Sequence, residues 1–223
     1  MSRLVLLRHG ESTANAGDMF AGWLDVPLTP RGLAQAEAVG RSLAALRPDA
    51  VHTSVLGRTI GTACLMATAA GWDVPLCRDW RLNERHYGAL QGLDKAEARR
   101  RYGTTDVEVW RRSVDVAPPP ATAEQLAEQL ADCRYAADPR ARLTVTESLG
   151  DVAKRMAPYW DEVLQPELAG GRTVVVVSHG NAVRVLVHLA TGVPLEEAAQ
   201  LRVLTATPIV PRALVLTDPP PAP

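Results

Sequence analysis

Short apolar runs alternate with longer amphipathic stretches along the 223 residues of the chain. Residues 4–7 form a continuous apolar run that stops at a polar loop, the pattern of a strand buried on both faces. Residues 51–54 predict the end of a second strand, and residues 173–177, with four consecutive valines, predict the clearest strand of the chain. A last strand is predicted over residues 212–216.

Amphipathic stretches between these runs predict helices. The first has Thr29 as its cap and Pro30 in its first turn, and is expected to end near residues 47–48. Others cover residues 56–70, closed by a glycine, and residues 182–190. Repeated strand–helix units predict an α/β fold with a mostly parallel central sheet flanked by helices on both faces.

The segment between residues 81 and 142 is less regular. Three prolines at 118–120 interrupt it, and residues 124–131 predict a short helix. Because the segment has too few apolar residues for a core of its own, we expect an excursion from the sheet rather than a second domain. Residues 218–223 are proline-rich and can join neither a sheet nor a helix.

Composition narrows the class of protein. Hydrophobic residues make up 47% of the chain, and 24 Lys+Arg against 25 Asp+Glu leave a formal net charge of −1. Such a balance argues against a general binder of nucleic acids or anionic membranes. The first residues lack a signal-peptide pattern and no apolar run could span a membrane, so we expect a soluble, cytoplasmic protein. Cys64, Cys77 and Cys133 lack paired spacing and are expected to be reduced packing thiols.

The polar loops after residues 7 and 177 carry the first candidate chemistry. Because the carboxyl ends of parallel strands meet at one edge of a sheet, His9 and His179 should both reach one phosphoryl group. A neutral imidazole is a competent nucleophile toward phosphorus. Beside it, Arg8 offers a bidentate donor for phosphate or carboxylate and Gly10 permits close backbone approach. Small donors follow at Ser12 and Asn15.

Other interpretations of these histidines stay open. Either one alone could be a structural hydrogen-bonding group, and together they could bind a metal, although neither HxH nor HExxH spacing supports a metal site. A third stretch, residues 82–92, is dense in functional side chains. Within it Glu84 is the best candidate for a general acid and base, and His86 is expected to be structural.

Several motifs occur in the order found in the cofactor-dependent phosphoglycerate mutases of the histidine phosphatase superfamily, which the chain resembles from about residue 3 to 190. The resemblance implies a three-layer sandwich, a single catalytic domain over residues 1–217 with an insert at about 106–142, and a C-terminal end at 218–223. The motifs are Arg8-His9-Gly10-Glu11-Ser12, Phe20-Ala21-Gly22-Trp23, residues 53–58, residues 82–92, Trp110-Arg111-Arg112 and His179-Gly180-Asn181.

The resemblance also implies roles. His9 would become phosphohistidine, Glu84 would exchange a proton with the substrate oxygen, and no metal would take part. Arg8, Arg58 and His179 would clamp the phosphoryl oxygens. The phosphoryl primer would be 2,3-bisphosphoglycerate, and by the same analogy we expect a homodimer. The implied substrate-binding residues are Ser12, Asn15, Ala21, Gly22, Arg85, Tyr87, Lys95, Arg111, Arg112, Gly180 and Asn181.

Three functions remain open from the sequence. The first is a mutase that interconverts 3-phosphoglycerate and 2-phosphoglycerate, because the outer cations would hold a small acid with a second anionic group. The second is a histidine-type phosphatase or diverged mutase acting on another small phosphorylated acid, and the third is a silent phosphate sensor. Departures from the family at Ala21, Gly57 and residues 204–210, with a short C-terminal end, keep the second function open beside the first. The joint presence of His9, Glu84, Arg58 and His179 argues against the third. In each case a nearly neutral chain gathers cations at one small-anion site.

Overall fold

The structure, a computed structural model, describes residues 3–211. Within these residues four parallel strands form one sheet in the order β1-β4-β2-β3. The run of valines lies at its centre, because β4 pairs with β1 on one side and β2 on the other. The predicted parallel sheet is confirmed. The strands are β1 (Arg3–Arg8), β2 (Ala50–Thr53), β3 (Leu76–Arg78) and β4 (Thr173–Ser178).

Helices cover both faces of the sheet, as predicted. On one face, α2 and α3 pack over Val5 and Val175, while α8 and α10 pack over Leu4 and Val174 on the other. Alternating side chains of the same strands therefore enter two separate cores, which gives three layers. The described helices are α1 (Thr13–Ala16), α2 (Pro30–Ser42), α3 (Gly57–Ala70), α4 (Lys95–Tyr102), α5 (Thr104–Arg112), α6 (Ala123–Ala131), α7 (Pro139–Leu143), α8 (Leu149–Tyr159), α9 (Gln165–Ala169), α10 (Gly180–Thr191) and α11 (Leu195–Ala198).

The start of α2 agrees with the prediction, and its end does not. Thr29 accepts a hydrogen bond from the Gly32 amide and Pro30 is the first helical residue. The helix ends at Ser42, about five residues early, because the chain tightens into turns in which Leu46 N donates to Leu43 O at 2.8 Å. Such turns satisfy the last carbonyls before the chain enters β2.

Two edges of the sheet were not fully predicted. The three-residue strand β3 is too short to show an alternating pattern, and the sequence did not indicate it. On the far side, Leu6 exchanges two backbone hydrogen bonds of 2.8 Å with Ile209, so the segment around residues 205–209 covers the edge of β1. The strand predicted over residues 212–216 and the proline-rich end at 218–223 lie outside the described residues.

The irregular segment contains more helix than the sequence indicated. Helices α4 to α7 fall between residues 95 and 143, and the predicted helix at 124–131 is α6. Their apolar residues pack in two small clusters against other parts of the chain: Val107 joins Phe20 and Leu90, and Ala141 joins Trp23. That the chain is one domain with an insert stays a prediction.

The cysteines and the helix lengths complete the picture. Cys64 and Cys133 are exposed, so the expectation of packing thiols is wrong for both, and Cys77 is half-buried. On α3 the helical repeat turns Ala63 and Met66 toward the sheet and leaves Cys64 on the outer face. Between residues 3 and 211, every helix is too short or too polar to cross a bilayer.

Candidate active site

The carboxyl ends of β1 and β4 bring the two loop histidines together. Arg8 pairs with Ser178 in the sheet register, and His9 N donates to Ser178 O at 3.0 Å. Directly after these two strands, the rings of His9 and His179 lie with centroids 5.1 Å apart in an edge-on arrangement. Both side chains are buried, at 3% and 0% exposure.

Close packing fixes the loop that follows His9. A Cβ atom on Gly10 would lie 2.4 Å from Gly32 O, so the first loop can approach α2 only with glycine at this position. The Gly10 amide donates to Thr62 Oγ1 on α3 at 3.0 Å. Ser12 then caps the short helix α1 in a reciprocal capping box with Asn15.

The hydrogen bonds of His9 define which ring nitrogen is free. Its Nδ1 lies 2.6 Å from Gly10 O, and a carbonyl oxygen can only accept, so Nδ1 carries the proton. In the neutral ring Nε2 then holds the lone pair. His9 is therefore the tautomer needed for Nε2 to act as a nucleophile.

A chain of hydroxyls fixes His179 in the same way. Thr59 donates to Leu56 O at 2.8 Å, which leaves its oxygen to accept from Ser54 at 2.7 Å. Ser54 Oγ then accepts from His179 Nε2 at 2.9 Å. Nδ1 of His179 is buried and has no hydrogen-bond partner among the described residues. With its proton on Nε2, the neutral ring holds a lone pair at Nδ1, so this nitrogen donates to an anion oxygen beside His9 only once the ring gains a second proton.

Backbone carbonyls hold the guanidinium groups of Arg58 and Arg8. Arg58 is 1% exposed and donates to Gly22 O and Leu24 O, both at 2.8 Å. Arg8 donates from Nη1 to Val203 O at 3.1 Å, while its Nε is buried and unpaired among residues 3–211. Neither group is neutralised by a carboxylate in these contacts, so both remain available to an anion.

Glu84 is anchored through one of its two carboxylate oxygens. Its Oε1 accepts from Arg85 N at 2.8 Å and from Asn181 N, in the first turn of α10, at 3.3 Å. A Cβ atom on Gly180 would lie 3.8 Å from Glu84 Oε2 and 3.9 Å from Arg8 Nε, so both groups lie beside the first residue of α10. The arrangement leaves Oε2 for a ligand oxygen.

A cavity of about 170 Å³ opens over His9. Its lining carries four cationic side chains, Arg8, Arg58, Lys95 and Arg111, against the carboxylate of Glu84. A small dianion fits this charge pattern. The predicted site residues that line this inner cavity are Arg8, His9, Ser12, Asn15, Ala21, Gly22, Arg58, Glu84, Tyr87, Lys95 and Arg111.

A second cavity of about 260 Å³ adjoins the first and shares Tyr87 and Arg111 with it. It brings in three more of the predicted residues, Arg85, Arg112 and Asn181, whereas His179 and Gly180 line neither of the two cavities. Asn181 Nδ2 donates to Tyr87 Oη at 2.9 Å, and the Arg85 guanidinium lies 5.5 Å from the Tyr87 ring centre. The two cavities thus lie side by side at Tyr87 and Arg111, and cationic side chains line both of them.

The cations that line the two cavities beyond Arg8 and Arg58 differ in how firmly other groups hold them. Arg85 is buried and donates to Glu147 O at 2.6 Å, whereas Arg111 pairs with Glu108 at 2.8 and 3.0 Å. Lys95 pairs with Asp18. Arg112 is mostly exposed and lies 3.7 Å from Glu108. Exposed ion pairs of this kind are weak, so an anionic ligand can recruit these side chains.

Burial sets the protonation of the inner residues. It lowers the pKa of His9 well below its usual value, and the charges of Arg58 and Arg8 lower it further. Burial and then Arg58 have the same effect on the pKa of His179. Burial also lowers the pKa of Arg58 to about 10. His9 is therefore unprotonated at neutral pH, and the buried guanidinium groups of Arg8 and Arg58 beside the single carboxylate of Glu84 favour a bound anion.

Six residues that line the cavities were not among the predicted site residues. Met19 and Phe20 line the inner cavity, and Leu149, Arg184, Ala199 and Gln200 line the outer one. Arg184 donates to Asn181 Oδ1 at 3.2 Å, one helical turn away. That i, i+3 spacing on α10 could have indicated Arg184, while Met19, Phe20 and Gln200 carry no such signal.

His86 is held at both ring nitrogens. Its Nδ1 accepts from Gly88 N at 3.0 Å, and its Nε2 donates to Gln129 Oε1 at 2.9 Å. The ring is fully buried and lies against Trp23, with centroids 5.2 Å apart. These contacts support the structural role expected of it.

Known proteins are similar to this chain in sequence and in fold. A family model described as the histidine phosphatase superfamily (branch 1) matches residues 4–138 and 121–210. The chain belongs to this superfamily. The protein named 2,3-bisphosphoglycerate-dependent phosphoglycerate mutase in Thermobifida fusca (strain YX) is 48% identical over 214 residues, covering 94% of this chain and 86% of that protein. The one so named in Staphylococcus carnosus (strain TM300) is 43% identical over 213 residues, covering 94% and 93%.

A solved structure adds a second kind of relative. The mycobacterial glucosyl-3-phosphoglycerate phosphatase is 28% identical, with a TM-score of 0.70, over 91% of this chain and 87% of that one. The predicted resemblance to the cofactor-dependent phosphoglycerate mutases is confirmed by the sequence relatives, and the α/β sandwich by the structural ones.

Proposed function

We propose that the protein is a phosphoglycerate mutase that interconverts 3-phosphoglycerate and 2-phosphoglycerate through a phosphohistidine at His9. The observation that carries the proposal is a pair of adjoining cationic cavities, the inner one lined by His9. One cavity accommodates a phosphoryl group at the nucleophile, and the other offers cations for a second anionic group of the same small molecule. The names of the relatives at 43–48% identity support the same reaction.

His9 acts first in this mechanism. Its Nε2 lone pair attacks phosphorus, and the Nδ1–H···O contact with Gly10 orients the ring and stabilises the charge that the ring gains. Arg8 and Arg58 donate to the phosphoryl oxygens, whose negative charge they balance in the transition state. Because backbone carbonyls already hold both guanidinium groups, little reorganisation is needed during the transfer.

Glu84 handles the proton. As the bond from phosphorus to the substrate oxygen breaks, the Glu84 carboxyl group gives its proton to that oxygen, and it takes a proton from the hydroxyl that later attacks phosphohistidine. Its Oε1 is occupied by two backbone amides, so Oε2 is the atom that exchanges the proton. The outer residues Arg85, Arg112 and Asn181 hold the other anionic group while the molecule reorients.

The proposed primer, 2,3-bisphosphoglycerate, fits the residues present. Arg8 Nε is a buried donor without a partner within residues 3–211, and a phosphoryl oxygen would satisfy it. The outer cations suit a second phosphate. When bound, this compound supplies the phosphoryl group that charges His9.

The test is to incubate the purified protein with 3-phosphoglycerate, with and without the primer, and to measure 2-phosphoglycerate and inorganic phosphate together. Primer-stimulated formation of 2-phosphoglycerate with little phosphate is the expected result. Phosphate release without isomer would replace the mutase by a phosphatase, and binding without either product would leave a sensor. His9→Ala should also abolish acid-labile phosphorylation of the protein, and a persisting label would place the nucleophile elsewhere.

A further inference from the structure

A buried ion pair outside both cavities supports the loop that carries Glu84. Arg155 on α8 and Glu147 just before that helix have side chains that are each 5% exposed. They make two contacts, Nε to Oε1 at 2.6 Å and Nη2 to Oε2 at 2.9 Å. A capping box between Ser148 and Asp151 fixes the start of α8 between the two partners. The pair is therefore rigidly placed.

The pair forms hydrogen bonds to most residues of the loop that carries Glu84, between residues 81 and 86. Arg155 donates to Arg81 O at 2.7 Å, to Asn83 O at 3.3 Å and to Glu84 O at 3.2 Å. Glu147 Oε2 accepts from His86 N at 2.8 Å, and Glu147 O accepts from Arg85 Nε at 2.6 Å. Together the two residues fix the backbone on both sides of Glu84.

A third group completes the hold on Glu84. The Trp23 indole donates from Nε1 to Glu84 O at 2.6 Å, and the Arg155 guanidinium lies 5.6 Å from the centre of the Trp23 ring. The carbonyl of Glu84 is thus held from two directions. With the carbonyl held and Oε1 bound to two amides, the path from backbone to Oε2 has little freedom.

The energetic balance favours positioning over stability as the purpose of the pair. A buried ion pair stabilises a fold little, since desolvation of two charges offsets most of their attraction, and apolar residues of similar volume often serve as well. Apolar residues, however, could not bind four or five backbone groups of an irregular loop. A proton-transferring carboxylate needs its position fixed to within about 0.5 Å.

We propose that Arg155, paired with Glu147, is a positioning residue that holds the Glu84 carboxylate where it protonates the departing substrate oxygen. The inference rests on the proposed phosphohistidine chemistry. In the step concerned, the bond from phosphorus to the leaving oxygen breaks as the bond to His9 Nε2 forms, and the proton passes from Glu84 to the leaving oxygen. Only a phosphoryl donor whose leaving group would otherwise be an unstable alkoxide needs that proton.

The experiment compares two phosphoryl donors. Single-turnover phosphorylation of His9 is measured with 2,3-bisphosphoglycerate, whose leaving group is an alkoxide, and with p-nitrophenyl phosphate, whose leaving group departs without a proton. Arg155→Lys keeps the charge but loses the planar set of donors. We expect it to slow the phosphorylation of His9 by 2,3-bisphosphoglycerate between about 10- and 100-fold, the loss typical of a misplaced catalytic group. Phosphorylation by p-nitrophenyl phosphate should slow less than about threefold.

Two further variants make the comparison decisive. In a Glu84→Gln background, Arg155→Lys should cost less than about threefold with either donor, because the residue it positions no longer transfers a proton. Lys154→Gln is the matched control, since Lys154 is 82% exposed on the same helix and pairs only with Asp151 in the described structure. It should leave both rates unchanged. If Arg155→Lys does not fold, Glu147→Gln weakens the same pair and enters the same assay.

Each outcome decides between a positioning role and a purely structural role for the ion pair, or tests the proposed function itself. Equal loss with both donors, or full additivity with Glu84→Gln, would show a merely structural pair and overturn the proposal. If the unsubstituted protein forms no acid-labile phosphate with either donor, the proposed function itself fails. A wild-type rate with normal donor dependence in Arg155→Lys would overturn the positioning role alone.

Discussion

The backbone at Gly22 predicts a large and specific penalty for a single added methyl group. Its φ is +51°, and a Cβ atom there would lie 2.0 Å from Gln91 Oε1 and 2.7 Å from Gln91 Cδ. Gln91 cannot simply turn away, because the same Oε1 accepts from Trp23 N at 2.7 Å in a buried contact. Gly22→Ala must therefore strain the backbone, displace Gln91 and leave a buried amide without its partner.

Gly71 provides a control in which only the backbone is strained. Its φ is +67° at the end of α3, and nothing lies within 4 Å of an added Cβ. Gly71→Ala should cost about 1–2 kcal/mol, the usual penalty of a left-handed conformation for a residue with Cβ. Overpacking adds about 1–3 kcal/mol, and an unsatisfied buried amide about as much. We expect Gly22→Ala to lose at least about 2 kcal/mol more than Gly71→Ala.

Catalysis should separate the two variants as well. Gly22 O accepts from Arg58 Nη2 at 2.8 Å, so a shifted loop moves a guanidinium of the proposed phosphoryl clamp. Arg58 lies in the first turn of α3, and Gly71 follows its last residue about 20 Å away. Gly22→Ala should therefore lower kcat as well as stability, whereas Gly71→Ala should lower stability alone.

Urea denaturation gives the free energies of unfolding, and initial rates with 3-phosphoglycerate and primer give kcat. Equal destabilisation of the two variants would show that Gln91 moves at no cost and would refute the reasoning about close packing. An unchanged kcat in folded Gly22→Ala would refute the link between this loop and Arg58.

Two other predictions concern buried polar groups. Tyr159→Phe removes the hydroxyl that lies 2.7 Å from Nδ1 of fully buried His52, and urea denaturation should show a loss of about 1–3 kcal/mol; less than about 0.5 kcal/mol would contradict it. Because the pKa values of His9 and His179 are held well below the ordinary value by burial, below pH ~6.5 the unfolded chain binds protons that the native chain does not. The free energy of unfolding should fall by about 1.4 kcal/mol per pH unit for each histidine as pH drops below ~6.5, and equal stability at pH 7 and 5.5, without phosphate in the buffer, would disprove this.

Local sequence was enough to predict much of the fold, because the apolar and polar types of neighbouring residues indicate which positions are buried. The valines before Ser178 could only form a strand buried on both faces, and Thr29-Pro30 set the start of α2 to the residue. The edge strand β3 escaped notice because three residues cannot show a period. The end of α2 was misplaced because turns, not a breaking residue, end it.

The residues of the candidate site likewise divide into those that the sequence predicted and those that only the structure revealed. His9 and His179 stood out because each follows a strand at the same edge, a relation that the parallel order of β1 and β4 imposes. Arg155 and Glu147 did not stand out, since a charged residue on a helix normally faces solvent and only burial distinguishes this pair.

The sequence by itself determined the strand–helix order, the helix caps and the residue types at the strand ends, because these depend on periodicity and on side chains a few positions apart. The tertiary structure alone decided which nitrogen of His9 is free, how Arg58 is held by Gly22 and Leu24, and which buried ion pair supports Glu84. Those properties depend on contacts between residues far apart in the chain, and on burial that only the packed layers create. The protonation state of His9 and the orientation of Arg58 and Glu84, on which the proposed chemistry rests, follow from that packing.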